Sequence, residues 1–558
     1  MSILYAATST LFFVWISRNI LYWVHLWQIK EYRWDRLSVH LRETVQGRSL
    51  FFSPLLLFKV VLIGAFILVI QKQLSLSLYH SAITFVFALQ FSSVVKEVGR
   101  KTIKIPKPTI KAVIISGFSL FILFSLFSLP LLDRFAWILL IDRLLPAVVL
   151  VATLIMSFPS GLYYDWKIAR AIRLLRKQKK LIVMGITGSY GKSSTKEYLA
   201  QLLRTKFSLI ATFGTQNTPI GLANTILEKM QDKTAIFVAE MGAYKRGEIA
   251  QLAQMVHPTI GVLTGINAQH FSLFGSIENT IDAKYELIES ISPNGLCLFN
   301  GNNVYTYELW KRALRENRNA VLYRVLTTNS FSEEQFKQEH GIIAYNARIS
   351  SRSVSFDVVL KKKGKPRIKI ESLGAPIGGI HTLENLLPAI YVAYILEMKP
   401  FEIKEALSLL VSPVHTMSIL RSFLGVILLD NTHNTNPRGI EAAVLLLKQY
   451  LRQKKRLCVF VLQPMIELGS RGKEEHRIAG RAIGAVCSYL FLTNKNFYQE
   501  IVKGVRDSGG KCKVKIASPQ IIASFVKTLT KDDIMYFEGR ETASSLVKIL
   551  KRDPKTDI

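Results

Sequence analysis

The chain has 558 residues, and its 72 lysines and arginines outnumber 40 acidic residues to give a net charge of +32. At ~150 residues per domain, this length predicts roughly three domains. The charge alone would allow a nucleic-acid partner, but we exclude one because no aromatic-rich recognition motif or zinc-finger spacing accompanies it. The four cysteines are far apart and form no Cys-x-x-Cys pair, which argues against metal-thiolate and disulfide frameworks.

Long apolar runs are concentrated in residues 1–165, which we predict to be an α-helical membrane domain. The predicted spans, each near the ~20 residues that a bilayer requires, are about 3–26, 54–71, 77–95, 112–131 and 144–162. The loops after the first and third spans are strongly basic and are therefore expected in the cytoplasm, whereas the loops 71–76 and 132–143 are not. Five spans place everything after residue 165 in the cytoplasm. We thus predict a multi-pass protein of the cytoplasmic membrane whose partner is the lipid bilayer.

Several charged residues belong to this part of the chain. Residues 166–180 form a basic juxtamembrane linker, which either lies against anionic lipid headgroups or is a solvated helix. Arg18 and His80 fall inside predicted spans, where an ionisable group is by default a functional hypothesis. Lys59 lies near a span end and is expected to extend its ammonium group to the membrane surface.

A phosphate-binding loop is predicted at Gly185-Ile-Thr-Gly-Ser-Tyr-Gly-Lys-Ser-Ser-Thr195, which follows an apolar run and opens an amphipathic segment. Glycines let backbone N–H groups approach phosphate oxygens, and the helix N-terminus favours negative charge. Lys192 can reach the β- and γ-phosphates, and the Ser193 hydroxyl can hold Mg²⁺. ATP and Mg²⁺ are therefore the predicted cofactors. The predicted contacts to ATP in this loop are Thr187, Gly188, Ser189, Gly191, Lys192, Ser193 and Ser194.

The variant Gly-x-Thr-Gly-x-x-Gly-Lys-Ser resembles the loop of the Mur ligases, the ATP-dependent enzymes that form amide bonds in peptidoglycan precursors. The resemblance covers about residues 181–545. It implies an α/β fold, with a central ATP-binding domain built on a parallel sheet at 181–412 and a Rossmann-like C-terminal domain at 413–558. The family's usual uridine-nucleotide domain is absent, and the predicted membrane domain occupies its place.

Two apolar runs, 235–239 and 260–264, precede Glu240 and a loop that contains His270. Ligands bind outside the carboxyl ends of parallel strands, so Glu240 is placed for Mg²⁺. The family carries a strand-end glutamate and a loop histidine that both serve the metal ions. Lys284 lies in a segment resembling the family's Ala-Lys-x-Glu, where several members carry a carbamylated lysine. The resemblance thus implies Ser193, Glu240, His270 and Lys284 as metal-site residues and Lys192, Glu240, His270 and Lys284 as catalytic residues, with Asn217 near the substrates.

The remaining resemblances lie further along the chain. Gly379-Ile-His381-Thr-Leu-Glu-Asn385 resembles a motif near adenine, and a composition shift at 400–413 predicts a hinge. Asp430-Asn-Thr-His433-Asn434-Thr-Asn436-Pro437 follows a buried-strand run and resembles an element of the branch that adds D-alanyl-D-alanine. Residues 463–469 resemble another motif of that branch. The implied nucleotide contacts here are His381, Asn385, Asp430 and His433, and the implied substrate contacts are Asn434 and Asn436.

These features predict an ADP-forming ligase that joins a peptidoglycan precursor to an amino acid or dipeptide through an acyl phosphate. One alternative is a membrane-associated amide ligase of another polymer, of the poly-γ-glutamate type. A second is a non-catalytic, ATP-binding membrane regulator, which is suggested by the altered loop at 265–269 and by Thr416-Met417 at the position of the family's Gly-Arg.

Overall fold

The computed structural model describes residues 2–100, 102–129, 133–326, 340–350, 353–413, 418–421, 424–453 and 456–550. The chain divides into two compact units, Met1–Trp166 and Lys167–Ile558. The first unit is helical. Its helices are α1 (Ser2–Ile29), α2 (Trp34–Glu43), α3 (Val45–Phe52), α4 (Pro54–Ile70), α5 (Leu76–Gly99), α6 (Ile110–Phe127) and α7 (Arg134–Lys177), the last of which continues into the second unit.

Four described helical segments are long and apolar enough to cross a membrane: Val45–Ile70, Leu76–Gly99, Ile110–Phe127 and Arg134–Lys177. Helix α1 is not among them, although it covers the first predicted span. The outward side of the unit is apolar, with Phe121 and Phe124 of α6 both more than 60% exposed. Because water penalises such a surface, it indicates membrane association.

Two predictions for this unit are wrong. Residues 134–143 were expected in a loop, but they are the first turns of α7, which passes Pro146 and Pro159 without a break. Asp142 consequently lies inside the bundle. Lys59 does not reach the surface but is fully buried, because its ammonium group binds the Asp142 carboxylate at 2.8 Å.

The second unit contains two sheets. The strands of the first are β1 (Ile182–Thr187), β2 (Leu209–Ala211), β3 (Ile236–Glu240), β4 (Ile260–Leu263), β5 (Leu296–Asn300), β6 (Asn319–Val325), β7 (Gly341–Ile349), β8 (Val354–Lys361) and β9 (Ile368–Ala375). Their order among the described residues is β2-β3-β1-β4-β5-β6-β7-β8-β9. Pairing is parallel as far as β7 and antiparallel for β7–β8 and β8–β9.

Helices cover both faces of this sheet, as a buried parallel sheet requires. They are α8 (Lys192–Arg204), α9 (Pro219–Lys229), α10 (Glu248–Val256), α11 (Phe271–Phe274), α12 (Ile277–Glu289), α13 (Val304–Arg315), α14 (Ile380–Ile395) and α15 (Pro400–Ser408). One core lies between the sheet and α8 and α14. The other lies beneath α9, α10, α12 and α13. Residues 400–408, expected in a hinge, instead form α15.

The second sheet has the order β10-β11-β15-β12-β13-β14, and only the β10–β11 pair is antiparallel among the described pairs. Its strands are β10 (Ser418–Arg421), β11 (Ile427–Asn431), β12 (Cys458–Leu462), β13 (Tyr489–Leu492), β14 (Lys513–Ile516) and β15 (Ile534–Glu538). Its helices are α16 (Pro437–Gln453), α17 (Gly472–Gly484), α18 (Tyr498–Asp507), α19 (Pro519–Phe525) and α20 (Ala543–Leu550). This is the expected Rossmann-like arrangement.

Candidate active site

The predicted phosphate loop connects the end of β1 to the start of α8. Gly188 and Gly191 both have positive φ, at 150° and 80°. A Cβ atom on Gly188 would collide with the Thr264 hydroxyl, and one on Gly191 would lie 2.7 Å from Asn385 Oδ1. Glycine is therefore required at both positions, and the helix N-terminus is left open to an anion.

Lys192 is the first residue of α8, and its side chain folds back over the loop. Its ammonium group donates to the carbonyl oxygen of Gly188 at 2.7 Å and to that of Ser189 at 3.3 Å. Burial lowers the pKa of Lys192, and the charge of Glu240 opposes that effect. Ser193 and Ser194, in the first turn of α8, are half-buried. Thr187 donates its hydroxyl to the Met241 carbonyl at 2.9 Å, which ties the loop's base to the end of β3.

Glu240 ends β3 beside this loop, as the sequence predicts. Asn217 donates to Glu240 Oε1 at 3.2 Å, and Glu240 Oε2 accepts no hydrogen bond from the described residues. The ammonium group of Lys196 lies 3.5 Å from that second oxygen. Lys196 is fully buried and also donates to the carbonyl oxygens of Thr212 and Gly214. Lys196 was not predicted as a site residue, although its position one helical turn after Lys192 indicates that the two side chains lie on the same face of α8.

Lys284, on α12, lies in the same cleft. The cleft measures about 350 Å³ including open solvent. It is lined by Gly188, Ser189, Lys192, Asn217, Gly242, Ala243, Tyr244, Gln269, His270, Phe274 and Lys284. Burial, followed by the charge of Lys192, lowers the pKa of Lys284 to about 7. The lowered pKa brings the uncharged, nucleophilic form of Lys284 closer to neutral pH than in an ordinary lysine.

His270 is held at the cleft by a residue of the C-terminal module, which is the part of the chain built on the second sheet. Its Nδ1 lies 2.6 Å from Glu467 Oε2, and the Ser272 N–H donates to the Glu467 carbonyl at 3.1 Å. His270 and Glu467 both adopt positive φ, at 60° and 65°. Glu467 was recognised only as part of a motif and not as a site residue. Only the folded chain brings it to His270, since 197 residues separate the two.

The predicted adenine contacts lie beside the loop or outside the described part of the chain. Asn385, on α14, accepts a hydrogen bond from the Thr195 hydroxyl at 3.3 Å and does not line the cleft. The side chain of His381 and residues 416–417 lie outside the described residues. The nucleotide-binding roles of His381 and Asn385 remain predictions.

The four predicted residues at the end of β11 and in the turn after it do not line the cleft. Asp430 accepts hydrogen bonds from the backbone and hydroxyl of Thr432, and Asn436 caps α16 by accepting from the Gly439 N–H. The His433 carbonyl accepts from Arg540, and Asn434 is exposed. These contacts form a strand-end turn, and the residues' binding roles also remain predictions.

The donor types beside the phosphate loop fit Mg²⁺. Among the described residues no group of three His, Cys, Asp or Glu side chains could hold a metal ion. Mg²⁺ commonly takes only one or two carboxylates and completes its shell with water and substrate phosphates. The Ser193 hydroxyl and the buried second oxygen of Glu240 match that requirement.

Comparison with known proteins extends these observations. Residues 186–393 match the family model described as the Mur ligase middle domain. This segment is similar to the Mur ligase middle domain. The predicted resemblance is therefore confirmed for the centre of the chain, and the match begins within β1 and ends within α14.

Curated relatives and solved structures agree with this assignment. The UDP-N-acetylmuramoyl-tripeptide–D-alanyl-D-alanine ligase of Bacillus subtilis is 27% identical over 302 residues, 54% of this chain and 60% of that enzyme. The ligase of the same name from Synechocystis is 27% identical over 367 residues, 65% of this chain and 73% of that one. The chain thus spans about 60 to 73% of these two relatives' length.

The fold is similar to that of two solved ligases. MurF from Acinetobacter baumannii aligns with a TM-score of 0.57 and 20% identity, over 68% of this chain and 79% of that chain. A MurF ligase from Thermotoga maritima, solved in complex with ADP, aligns with a TM-score of 0.55 and 22% identity, over 70% and 82%. These alignments confirm the predicted Mur ligase α/β fold.

Proposed function

We propose that the protein is an ATP-dependent, ADP-forming amide ligase of peptidoglycan precursor synthesis that adds D-alanyl-D-alanine or a related amine. The observation that carries the proposal is the convergence of Lys192, Glu240 and Lys284 beside the glycine loop at one edge of a parallel sheet. The names of the curated relatives support the substrate class. A poly-γ-glutamate ligase uses the same chemistry, and no contact in the cleft favours it.

In the proposed reaction, a carboxylate oxygen of the precursor attacks the γ-phosphorus of ATP and ADP leaves. Lys192 exchanges its contacts with the loop carbonyls for contacts with phosphate oxygens and stabilises the charge on the transferring group. The N–H groups at the start of α8 orient the phosphates. Ser193 and Glu240 would hold Mg²⁺, which neutralises phosphate charge when bound.

In the second step the amine nitrogen attacks the acyl carbon, phosphate leaves with the electrons of the C–O bond, and the nitrogen loses a proton. Glu467 positions His270 at the wall of the cleft by holding its Nδ1, which directs the other ring nitrogen away from Glu467. Closure of the C-terminal module over the cleft excludes water from the acyl phosphate.

Lys284 is proposed to carry a carbamate. Its amine is buried, with its pKa lowered to about 7, so a large fraction is neutral and able to attack CO₂. The N–C bond forms and the nitrogen releases one proton, which turns the neutral amine into an anion beside Lys192. That anion would supply the cleft with a second carboxylate-like ligand for Mg²⁺.

We propose that the helical unit, Met1–Trp166, is a multi-pass domain of the cytoplasmic membrane. The second unit, Lys167–Ile558, which we call the ligase unit, lies in the cytoplasm in this proposal. The helical unit's four long apolar segments and its exposed apolar side chains support that placement. Because this unit stands where the family has its uridine-nucleotide domain, we propose a lipid-linked or membrane-proximal carboxylate as substrate. Equal activity on soluble and lipid-linked acceptors would contradict this second point.

The direct experiment measures phosphate release from ATP and Mg²⁺ by the detergent-purified protein. Muramyl tripeptide acceptors are supplied with and without D-alanyl-D-alanine. We expect release that depends on the dipeptide and falls on the order of 100- to 1,000-fold in Lys192→Ala. Lys206→Ala, which removes an exposed surface cation, is the matched control. ATP binding without dipeptide-dependent release in wild type would favour the regulatory alternative.

A further inference from the structure

The helical unit contains a cluster of charged side chains far from the ligase cleft in sequence and not used by the proposed reaction. At its centre, the Asp142 carboxylate accepts from Lys59 at 2.8 Å and from Arg143 at 2.9 Å. Trp15 donates its indole N–H to the other oxygen of Asp142 at 2.8 Å. Lys59 and Asp142 are at most 1% exposed.

The aromatic ring of Trp15 connects this centre to a second ion pair. The Lys59 ammonium lies 5.6 Å from the Trp15 ring centroid, and the Arg18 guanidinium lies 5.9 Å from it. Arg18 in turn makes a bidentate contact with Glu97, at 2.9 and 2.7 Å. We call Arg18, Lys59, Glu97, Asp142 and Arg143 the charge cluster.

The charge cluster has more positive than negative charge. Three cations face two carboxylates, so one positive charge is uncompensated within the cluster. Lys59 and Asp142 alone would form a neutral pair that fastens α4 to α7, so helix packing does not require Arg143. An uncompensated cation is costly at membrane depth and is normally paired.

Arg143 and Gln90 both have N–H groups that are available to donate hydrogen bonds to a counter-ion. The two contacts of Arg143 use Nε and Nη2, although a guanidinium has five N–H donors, and its side chain is 25% exposed. Gln90 accepts from Lys59 at 2.8 Å through Oε1, while its Nε2 is buried and has no hydrogen-bond partner among the described residues. A buried amide without an acceptor indicates that an acceptor oxygen belongs beside it.

We propose that the charge cluster binds a phosphate-type anion at Arg143 and Gln90, and that the phosphate of an anionic membrane lipid supplies it. Arginine pairs with phosphate through parallel N–H···O contacts, which a lysine-only site would lack. The partial exposure of Arg143 provides the route from the bilayer. This proposal rests on the membrane placement proposed above and is independent of the ligase activity.

The test uses the full-length protein in an uncharged detergent and measures its thermal midpoint during titration with phosphatidylglycerol, phosphatidylcholine or inorganic phosphate. We expect phosphatidylglycerol to raise the midpoint in wild type. In Arg143→Gln its apparent affinity should fall at least about tenfold, which corresponds to ~1.4 kcal/mol for one charge-assisted contact. Arg134→Gln removes the same charge from the start of the same helix and should retain the effect.

Arg143→Gln preserves the neutral Lys59–Asp142 pair and is expected to fold. Gln90→Leu removes the unpartnered amide without changing charge, and we expect it to weaken phosphatidylglycerol binding as well. If Arg143→Gln fails to fold, Gln90→Leu provides the test. The proposal is overturned if phosphatidylcholine acts equally well, if Arg134→Gln loses the effect to the same extent, or if the folded variants bind like wild type.

Inorganic phosphate separates the two sources of the anion. Stabilisation by phosphate alone that disappears in Arg143→Gln would support the anion site and reject the lipid as its source. Extraction of native membranes with alkaline carbonate tests the membrane placement separately, because a protein released by carbonate is not embedded whatever it binds.

Discussion

Two buried lysines in the ligase cleft have different roles because their surroundings differ. Lys196 is surrounded by acceptors, namely two backbone carbonyls and the carboxylates of Glu197 and Glu240, at 3.1 and 3.5 Å. Lys284 makes a long contact of 3.5 Å with the Ala243 carbonyl, lies 5.4 Å from the Phe274 ring centroid, and is further disfavoured as a cation by Lys192. A lysine with acceptors anchors the structure, whereas one without them is available for chemistry.

Lys196→Met is expected to destabilise the protein by ~3 kcal/mol or more, because it leaves Glu240 buried without its cation. Lys206→Met removes a surface ion pair with Glu402 and should cost less than ~1 kcal/mol. The thermal midpoint of the full-length protein in detergent measures both. Equal midpoints for the two variants would show that Lys196 does not anchor Glu240.

The carbamate on Lys284 should form increasingly as the pH rises from 6 to 8 at constant dissolved CO₂. The pKa of Lys284 lies near 7, below its ordinary 10.5, so its neutral amine appears in this range rather than above pH 9. A ¹³C-carbamate resonance in ¹³C-bicarbonate should report it. The signal should vanish in Lys284→Met and persist in the exposed-site variant Lys311→Met; a resonance unchanged in Lys284→Met would refute the assignment.

At the scale of elements, a short contact joins the part of the chain built on the first sheet to the C-terminal module, which is built on the second sheet. The loop at α11 meets the loop after β12 through the His270–Glu467 pair, and Gly469 packs against Phe271 and Ser272. Non-glycine residues with positive φ are unfavourable, so two of them facing each other indicate a constrained junction. The wall of the cleft therefore depends on an element of the C-terminal module.

Glu467→Gln should loosen this junction. A charge-assisted hydrogen bond contributes ~1.5 to 3 kcal/mol, so amide hydrogen exchange in residues 271–275 is expected to accelerate by about 10- to 100-fold. Glu474→Gln, in the exposed first turn of α17, provides the control. The Mg²⁺ concentration giving half-maximal phosphate release should rise in Glu467→Gln. Unchanged exchange would show that the pair does not hold the loop.

Sequence patterns predicted the buried elements best. The apolar runs at 235–239 and 260–264 coincide with β3 and β4, because a parallel strand buried on both faces is apolar throughout. Helices α2 and α3 were missed because their charged residues were interpreted only as a basic loop. The start of α7 was assigned to a loop for the same reason, since Asp142 and Arg143 gave no local sign of their partner Lys59.

Site residues could be predicted from the sequence where one continuous segment contains the whole motif. The glycine loop, Glu240 and Lys284 follow local motifs; the structure places the loop and Lys284 around one cleft and Glu240 at the strand end beside the loop. Glu467 could not be assigned in this way, because its role depends on a contact between residues 197 positions apart. For the residues at the end of β11 and in the turn after it, the local sequence pattern could not show which ligand they bind. In the structure these residues make turn and capping contacts.

At the scale of the molecule, the two units expose different surfaces. The helical unit presents large apolar side chains on α4 and α6, such as Val61 and Phe124 at 63% and 62% exposure. The ligase unit has apolar cores on both faces of its first sheet, although it also exposes apolar side chains such as Phe213 and Phe401, at 67% and 63%. One chain therefore combines a surface suited to lipid with a surface suited to water.

The membrane placement predicts which unit a protease can reach. In sealed inverted vesicles of the cytoplasmic membrane, added protease should degrade the ligase unit, and in right-side-out vesicles it should not. Fragment masses from residues 167–558 provide the readout, and detergent-opened vesicles provide the control. Protection in inverted vesicles would reverse the proposed orientation.

The loop carbonyls compete with the nucleotide for the ammonium group of Lys192. Its contacts with the Gly188 and Ser189 carbonyls must break before it can meet a phosphate, so only the fraction of molecules with a released lysine binds at full strength. This competition weakens ground-state affinity and leaves the bound complex unchanged. Half-saturation of the enzyme should consequently occur at a higher ATP concentration than a permanently extended lysine would give.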